Sequence, residues 1–178
     1  MKYLTIREMK YITILTNLFF VVLTALGQEV PQNEAGFDSL YTRRIQLEEI
    51  DGVYIPRDLN DAFAELKRLS SPASLQKFQS ATEDVARAKL HFGLGRWMIV
   101  NWGFYEGSRL SHYLKLAGLE HPDDMARVIL VCFHRHLNQR ELRFEEEVAF
   151  YQVQREKERL ERENRKEVIS EEKHMKKH

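Results

Sequence analysis

Cysteine is nearly absent: the 178 residues contain one, Cys132. A single thiol builds no internal disulfide framework, so the fold has to rest on its apolar core. The neighbours Ile129, Val131 and Phe133 point to a buried thiol rather than a reactive one. Neither sign of charge is in excess, with 27 basic and 27 acidic residues. That balance gives no ground for a nucleic-acid partner. Nucleotide fingerprints are missing as well: there is no Gly-x-x-x-x-Gly-Lys-Ser/Thr and no Gly-x-Gly-x-x-Gly between a strand and a helix. A Gly-x-Ser-x-Gly elbow and a His-Glu-x-x-His pair are also lacking. His134 and His136 are two positions apart and point to different faces of a helix, and His91, His112 and His121 have no compelling ligand spacing. No metal or other cofactor is expected.

Long apolar runs are missing except at the start. Lys2, Arg7 and Lys10 precede the uncharged stretch Tyr11 to Leu26, and Ala25 and Gly27 place small residues at −3 and −1 before Gln28. This is the pattern of a cleaved export signal over residues 1–27. The stretch is shorter than the roughly 20 residues that span a bilayer, so a retained N-terminal anchor is the lesser alternative. Cleavage would leave 151 residues with 24 basic and 26 acidic side chains. The expected destination is the periplasm or the exterior.

The rest of the chain reads as a small, mainly α, compact helical domain with a short extended segment and a long charged C-terminal helix. Residues 28–49 form a lead, with a short helix expected within 37–50. Asp51-Gly52 signals a turn, and Val53-Tyr54-Ile55 before Pro56 is extended. Asp58 is suited to cap a helix carrying Leu59, Ala62, Phe63, Leu66 and Leu69 at helical spacing. Ser70-Ser71-Pro72 ends that helix and starts another, and Thr82 caps a third. Gly93 and Gly95 interrupt the run before Arg96 to Val100, and 101–107 reads as a structured loop. A helix from Ser108 ends against Gly118, a residue that enters the left-handed region without a side-chain penalty. Pro122 at a first helical position and the acidic pair Asp123 and Asp124 open a core helix with the stripe Met125, Val128, Ile129, Cys132, Phe133, His136 and Leu137. Residues 138–140 mark a break.

From Glu141 to His178 there are 10 basic and 11 acidic residues. Phe144, Val148 and Tyr151 supply one short apolar stripe, so this tail should dock near its start. Glu158–Arg162 and Glu161–Arg165 are spaced as helical ion pairs. Continuous apolar heptads are missing, which leaves a coiled coil, and self-association through this helix, as secondary expectations.

Three ordered segments carry a resemblance: DGVYIPRDLNDAF at 51–63, HFGLGRWMIVNWGFYEGSRLSHYL at 91–114 and HPDDMARVILVCFHRHLN at 121–138. Together they resemble an uncharacterised family of small bacterial domains of unknown function, common in exported proteins of the Bacteroidota. The resemblance implies a helical domain over about 50–140 and transfers no chemistry.

Candidate binding residues gather in the middle of the chain. Arg96, Trp97, Asn101, Trp102 and Tyr105 are able to line a pocket, although aromatics crowded in so small a domain more often pack its core. Ser108 and Arg109, with Gly107 before them, stand where a helix begins and are able to hold an anion. The competing expectation ties Arg109 to Asp123 or Asp124. A hydrolase would draw on Ser108 or Ser111 with His112 or His121 and Asp123, a geometry that short-range sequence does not show, or on Asp123 and Asp124 as acid and base, although adjacent first-turn residues point apart. The primary reading is a non-catalytic interaction or structural domain of the cell envelope, with an envelope protein or a small ligand as partner. Ligand binding at the 96–109 region and an unrecognised hydrolase are the alternatives.

Overall fold

A helix enclosed on every side must find partners for whatever polar groups it carries, and one helix of this chain is so enclosed. In the computed structural model, which describes residues 34–89 and 91–175, helix Pro122–Leu137 is buried from Asp124 to Arg135 on nearly every face, Leu130 and Val131 included. The stripe visible in the sequence accounts for only one side of it. The expected export signal at 1–27 lies outside the described residues.

The protein is mainly helical. In chain order the elements are α1 (Glu34–Arg44), β1 (Glu49–Ile50), β2 (Val53–Tyr54), α2 (Leu59–Leu69), α3 (Pro72–Gln79), α4 (Glu83–Lys89), a π-helical turn (His91–Gly95), α5 (Arg96–Asn101), α6 (Arg109–Leu116), α7 (Pro122–Leu137) and α8 (Phe144–Met175). The chain divides into two units, Met1–Asp38 and Ser39–His178. Of the first, only the beginning of α1 is described. In the second, α2 to α6, the π turn and the start of α8 all pack on α7.

The helix boundaries follow local chemistry. Asp58 Oδ1 accepts from Asp61 N at 2.9 Å, and Ser71 Oγ accepts from Ser74 N at 3.2 Å. Ser108 and Ser111 form a reciprocal capping box at the start of α6. Gly118, at φ +100°, closes α6 with Leu119 N donating to Leu114 O and Gly118 N to Lys115 O, which is the Schellman arrangement. The end of α7 repeats it with Gln139, a non-glycine residue at φ +55°, followed by Arg140 N donating to Arg135 O.

Upstream, the expected short helix within 37–50 is present as the part of α1 that ends at Arg44, while Glu49–Ile50 pairs antiparallel with Val53–Tyr54 across Asp51 and Gly52. Both turn residues have positive φ, the geometry a two-residue hairpin needs to match strand twist.

Phe63, Phe78 and Phe133 stack in series between α2, α3 and α7, with ring centroids 5.7 and 5.5 Å apart. Trp102 and Phe104 fill the other end and are almost wholly buried.

Buried charge fixes α8 in place. Glu147, near its start, accepts from Arg87 of α4 at 2.6 and 3.1 Å and from Arg135 of α7 at 2.8 Å. Arg135 also binds Glu83 through two nitrogens at 2.6 and 3.0 Å and donates to Leu142 O at 2.7 Å. Two arginines and two carboxylates thus neutralise one another, as burial demands. About two turns farther along α8, Arg155 grips the buried Asp124 with bonds of 2.6 and 2.8 Å. The expected apolar contacts of Val148 and Tyr151 are present beside these pairs.

Beyond that, Arg159 is the hub of the exposed charges, bound to Glu156 and Glu163. The expected Glu158–Arg162 pair is replaced: Glu158 takes Arg155, and Arg162 donates to the Glu158 backbone oxygen.

Candidate functional site

The chain returns twice to the loop after α5. The end of α1 reaches it first: Arg44 Nε donates to Gly107 O at 3.0 Å. The β-hairpin follows, placing Ile50, Asp51 and Val53 on the same side. Together with Val100, Asn101, Gly103 and Glu106 these residues line a cleft of about 390 Å³. Gly103, at φ +61°, forms part of it, and a β-carbon there would lie 2.9 Å from Nη2 of Arg44 and 3.9 Å from Oε2 of Glu106. Glycine therefore supplies both the left-handed backbone and the room for Arg44.

Asn101 is the one residue of the sequence-derived binding set in this lining. Arg96 is exposed and Trp97 half-buried on α5. Trp102 is fully buried against Trp97 and Phe104, and its Nε1 has no acceptor among the described residues. Tyr105 points outward, 59% exposed. Ser108 is fully buried, and its hydroxyl serves the cap of α6. Arg109 donates through Nε to Ile55 O at 2.6 Å and through Nη1 to Glu48 at 3.2 Å, and its guanidinium lies over the Tyr54 ring. It ties the hairpin to α6. The expectation that Asp124 would hold Arg109 is corrected: Asp124 is held by Arg155, which the chain supplies from α8, and by Arg127.

The serine constellation is not assembled. Ser111 Oγ donates to Ser108 O at 3.0 Å, while His112 Nδ1 pairs with Tyr41 Oη at 3.0 Å. Each group thus has its partner elsewhere, and no serine–histidine hydrogen bond joins them among the described residues. No group of three or more metal-ligating side chains occurs among the described residues either. Cys132 is buried, lies 3.7 Å from Leu142 O, and burial pushes its thiol pKa up to about 12, so the thiol is the unreactive kind.

Residues 55–137 match the family model of a domain of unknown function, DUF6794. The match covers a little under half of the chain and falls inside the segment where the sequence resembles an uncharacterised domain. It spans α2 to α7 and leaves out the hairpin and α8. The comparison with curated proteins and that with solved structures each returned no match.

A second cleft, of about 340 Å³, opens between the α6–α7 corner and α8. Gly118, His121, Asp124, Gln152, Arg155 and Arg162 are among its lining residues. Three arginines of α8 in this lining face three carboxylates, Glu120, Asp124 and Glu156, so the cleft has no net preference for an anion. Its chemistry is that of attachment: Gln152 Nε2 donates to Gly118 O at 3.2 Å, and Arg155 holds Asp124.

Outside both clefts α8 presents a different face. Phe150 lies at the edge of the docked face, its ring against Tyr151 and beneath the Arg87 guanidinium, whereas Val153 and Leu160 fall on the side of α8 opposite Val148, Tyr151 and Arg155, since helices turn by about 100° per residue. The exposures of Phe150, Val153 and Leu160 are 49, 65 and 46%, high for apolar side chains of one helix.

Proposed function

We propose that this protein is an exported, non-catalytic interaction domain of the bacterial cell envelope, and that α8 is the arm through which it meets its partner. One observation carries the reading: α8 has two faces with different duties. The inner face is fastened by Glu147, Val148, Tyr151 and Arg155. The outer face holds the Val153 and Leu160 ridge in solvent, with half-exposed Phe150 at its margin. Buried ion pairs oppose rolling of the helix, because a roll would strip Arg87, Arg135 and Asp124 of their partners. The ridge is thereby held outward, and exposed apolar side chains aligned on a rigid element suit a protein partner. The partner is an envelope protein or a second copy of this chain. Export rests on the basic, apolar and small-residue series of residues 1–27.

The test places a photocrosslinking residue at Val153 or Leu160, with Asn60 as an exposed polar control, in a bacterial host that exports the chain. Sedimentation of the purified protein separates self-association from a foreign partner. The expected result is a discrete adduct from both α8 positions that Val153→Glu with Leu160→Glu removes without changing the melting temperature. Equal labelling from all three positions, in a chain that sediments as a monomer, would sink the proposal.

A further inference from the structure

The cleft over Gly103 gathers polar groups that the fold does not use. Arg44 is tethered by Nε to Gly107 O, which leaves Nη1 and Nη2 free of any acceptor among the described residues. The carboxylates of Asp51 and Glu106 likewise have no partner among the described residues, and both residues are exposed at the rim. Nη2 of Arg44 and Oε2 of Glu106 flank the space a Gly103 β-carbon would occupy, at 2.9 and 3.9 Å from that point, yet they form no ion pair with each other. Asn101 donates through Nδ2 to Trp97 O at 2.8 Å and keeps its Oδ1 as an acceptor. Ile50, Val53 and Val100 supply an aliphatic wall, and Val100 is 59% exposed.

A tethered cation, two unpaired carboxylates, an amide oxygen and an aliphatic wall are the complement of one kind of molecule. We propose that this cleft binds a free aliphatic α-amino acid. The α-carboxylate meets the Nη groups of Arg44, whose planar fork takes two oxygens at once. The ammonium lies toward Glu106 and Asp51, with Asn101 Oδ1 as a further acceptor. The side chain covers Ile50, Val53 and Val100. The volume of about 390 Å³ sits at the small end of ligand pockets, which run from roughly 300 to 1,000 Å³. The bond to Gly107 O fixes Arg44 before the ligand arrives, which lowers the ordering cost of binding. Binding in this cleft is independent of the role assigned to α8.

Titration of the full chain with leucine, followed by calorimetry and by NMR shifts, tests it. N-acetylleucine removes the ammonium charge, and leucinamide removes the carboxylate. The expected result is saturable binding of leucine, with each capped analogue weaker by about tenfold or more, as the loss of one charged contact implies. Arg44→Gln and Glu106→Gln should each lose at least about tenfold. Glu106 is exposed and unpaired, so its variant keeps the fold even where Arg44→Gln loosens the Gly107 contact; circular dichroism checks both. Absence of saturable binding at millimolar leucine overturns the proposal. So does leucine binding that the capped analogues match, or binding that Glu106→Gln leaves unchanged.

Discussion

Glu147→Gln is the sharpest perturbation of the buried network, because it keeps the shape and removes only the charge. Glu147 is 7% exposed and accepts three arginine bonds. Removing one partner of a buried pair costs about 3–5 kcal/mol, since the remaining charge stays desolvated. Arg135 keeps Glu83, and the Arg87 side chain retains 27% exposure. Both ease the loss, which places the expected cost near the low end, about 3 kcal/mol. For a domain of this size that corresponds to a fall in melting temperature of about 6–12 °C.

The pH dependence follows from the same contacts. Burial alone would raise the Glu147 pKa, but the bonds and charges of Arg87 and Arg135 outweigh it and hold the carboxyl below its usual value. Glu83 is held down by its bonds to Arg135, against the opposing effect of burial. A carboxyl with a depressed folded-state pKa contributes stability that is complete above its unfolded value, about 4.3. That contribution is lost as pH falls through the folded value, because the unfolded chain binds the proton first. Urea melts between neutral pH and pH of about 3 should therefore show a steeper acid loss for the wild type than for Glu147→Gln. A variant within about 1 kcal/mol of the wild type at neutral pH, with the same acid slope, would refute the reasoning.

Three further outcomes are expected. Cys132 should resist thiol reagents in the native protein at mildly alkaline pH and react once after denaturation; stoichiometric native labelling would contradict its buried, raised-pKa state. Gln139→Gly should stabilise the chain by roughly 0.5 kcal/mol, the left-handed strain relieved at φ +55° exceeding the added backbone entropy of glycine; denaturant midpoints measure it. Arg109→Ala should cost about 1–3 kcal/mol, because Ile55 O then loses its donor. Arg109→Lys should recover part of that cost, and Glu48→Ala should be nearly neutral because the carboxylate is exposed. Equal melts for Arg109→Ala and wild type would show the Ile55 bond to be dispensable.

Features encoded in a few consecutive residues are legible in the sequence. Asp58, Ser71 and Ser108 cap the helices they precede, Gly118 ends α6, and Pro122 opens α7. The docking of Val148 and Tyr151 is also readable, because an apolar stripe has to find a core. A two-residue strand is too short to show alternation, so Glu49–Ile50 reads as part of a helix until its partner strand is seen. The choice of ionic partners is less legible still. Arg87 finds Glu147 across 60 positions and Arg155 finds Asp124 across 31; among 27 cations and 27 anions, spacing says nothing about such pairs. The same reason explains the candidate site. Asn101 stands out beside its aromatic neighbours, but Arg44 reaches the loop from 63 positions away and Asp51 arrives on the hairpin. The small Gly103, set among aromatics in NWGFYEG, is the local sign that another side chain must pass there.

The matched domain ends at residue 137, yet its buried charges are completed from beyond that point. Arg87 and Arg135 share Glu147, and Asp124 depends on Arg155. A segment cut at 55–137 would retain both arginines and the aspartate while deleting those partners, and would expose the part of α7 that Val148 and Tyr151 help cover. Such a segment would carry unpaired charge into its interior, where desolvation is not repaid. The physical folding unit therefore runs through at least Arg155. Since the fastening residues of α8 belong to that unit, the outward ridge at Val153 and Leu160 is held by the core itself rather than by a separate tail.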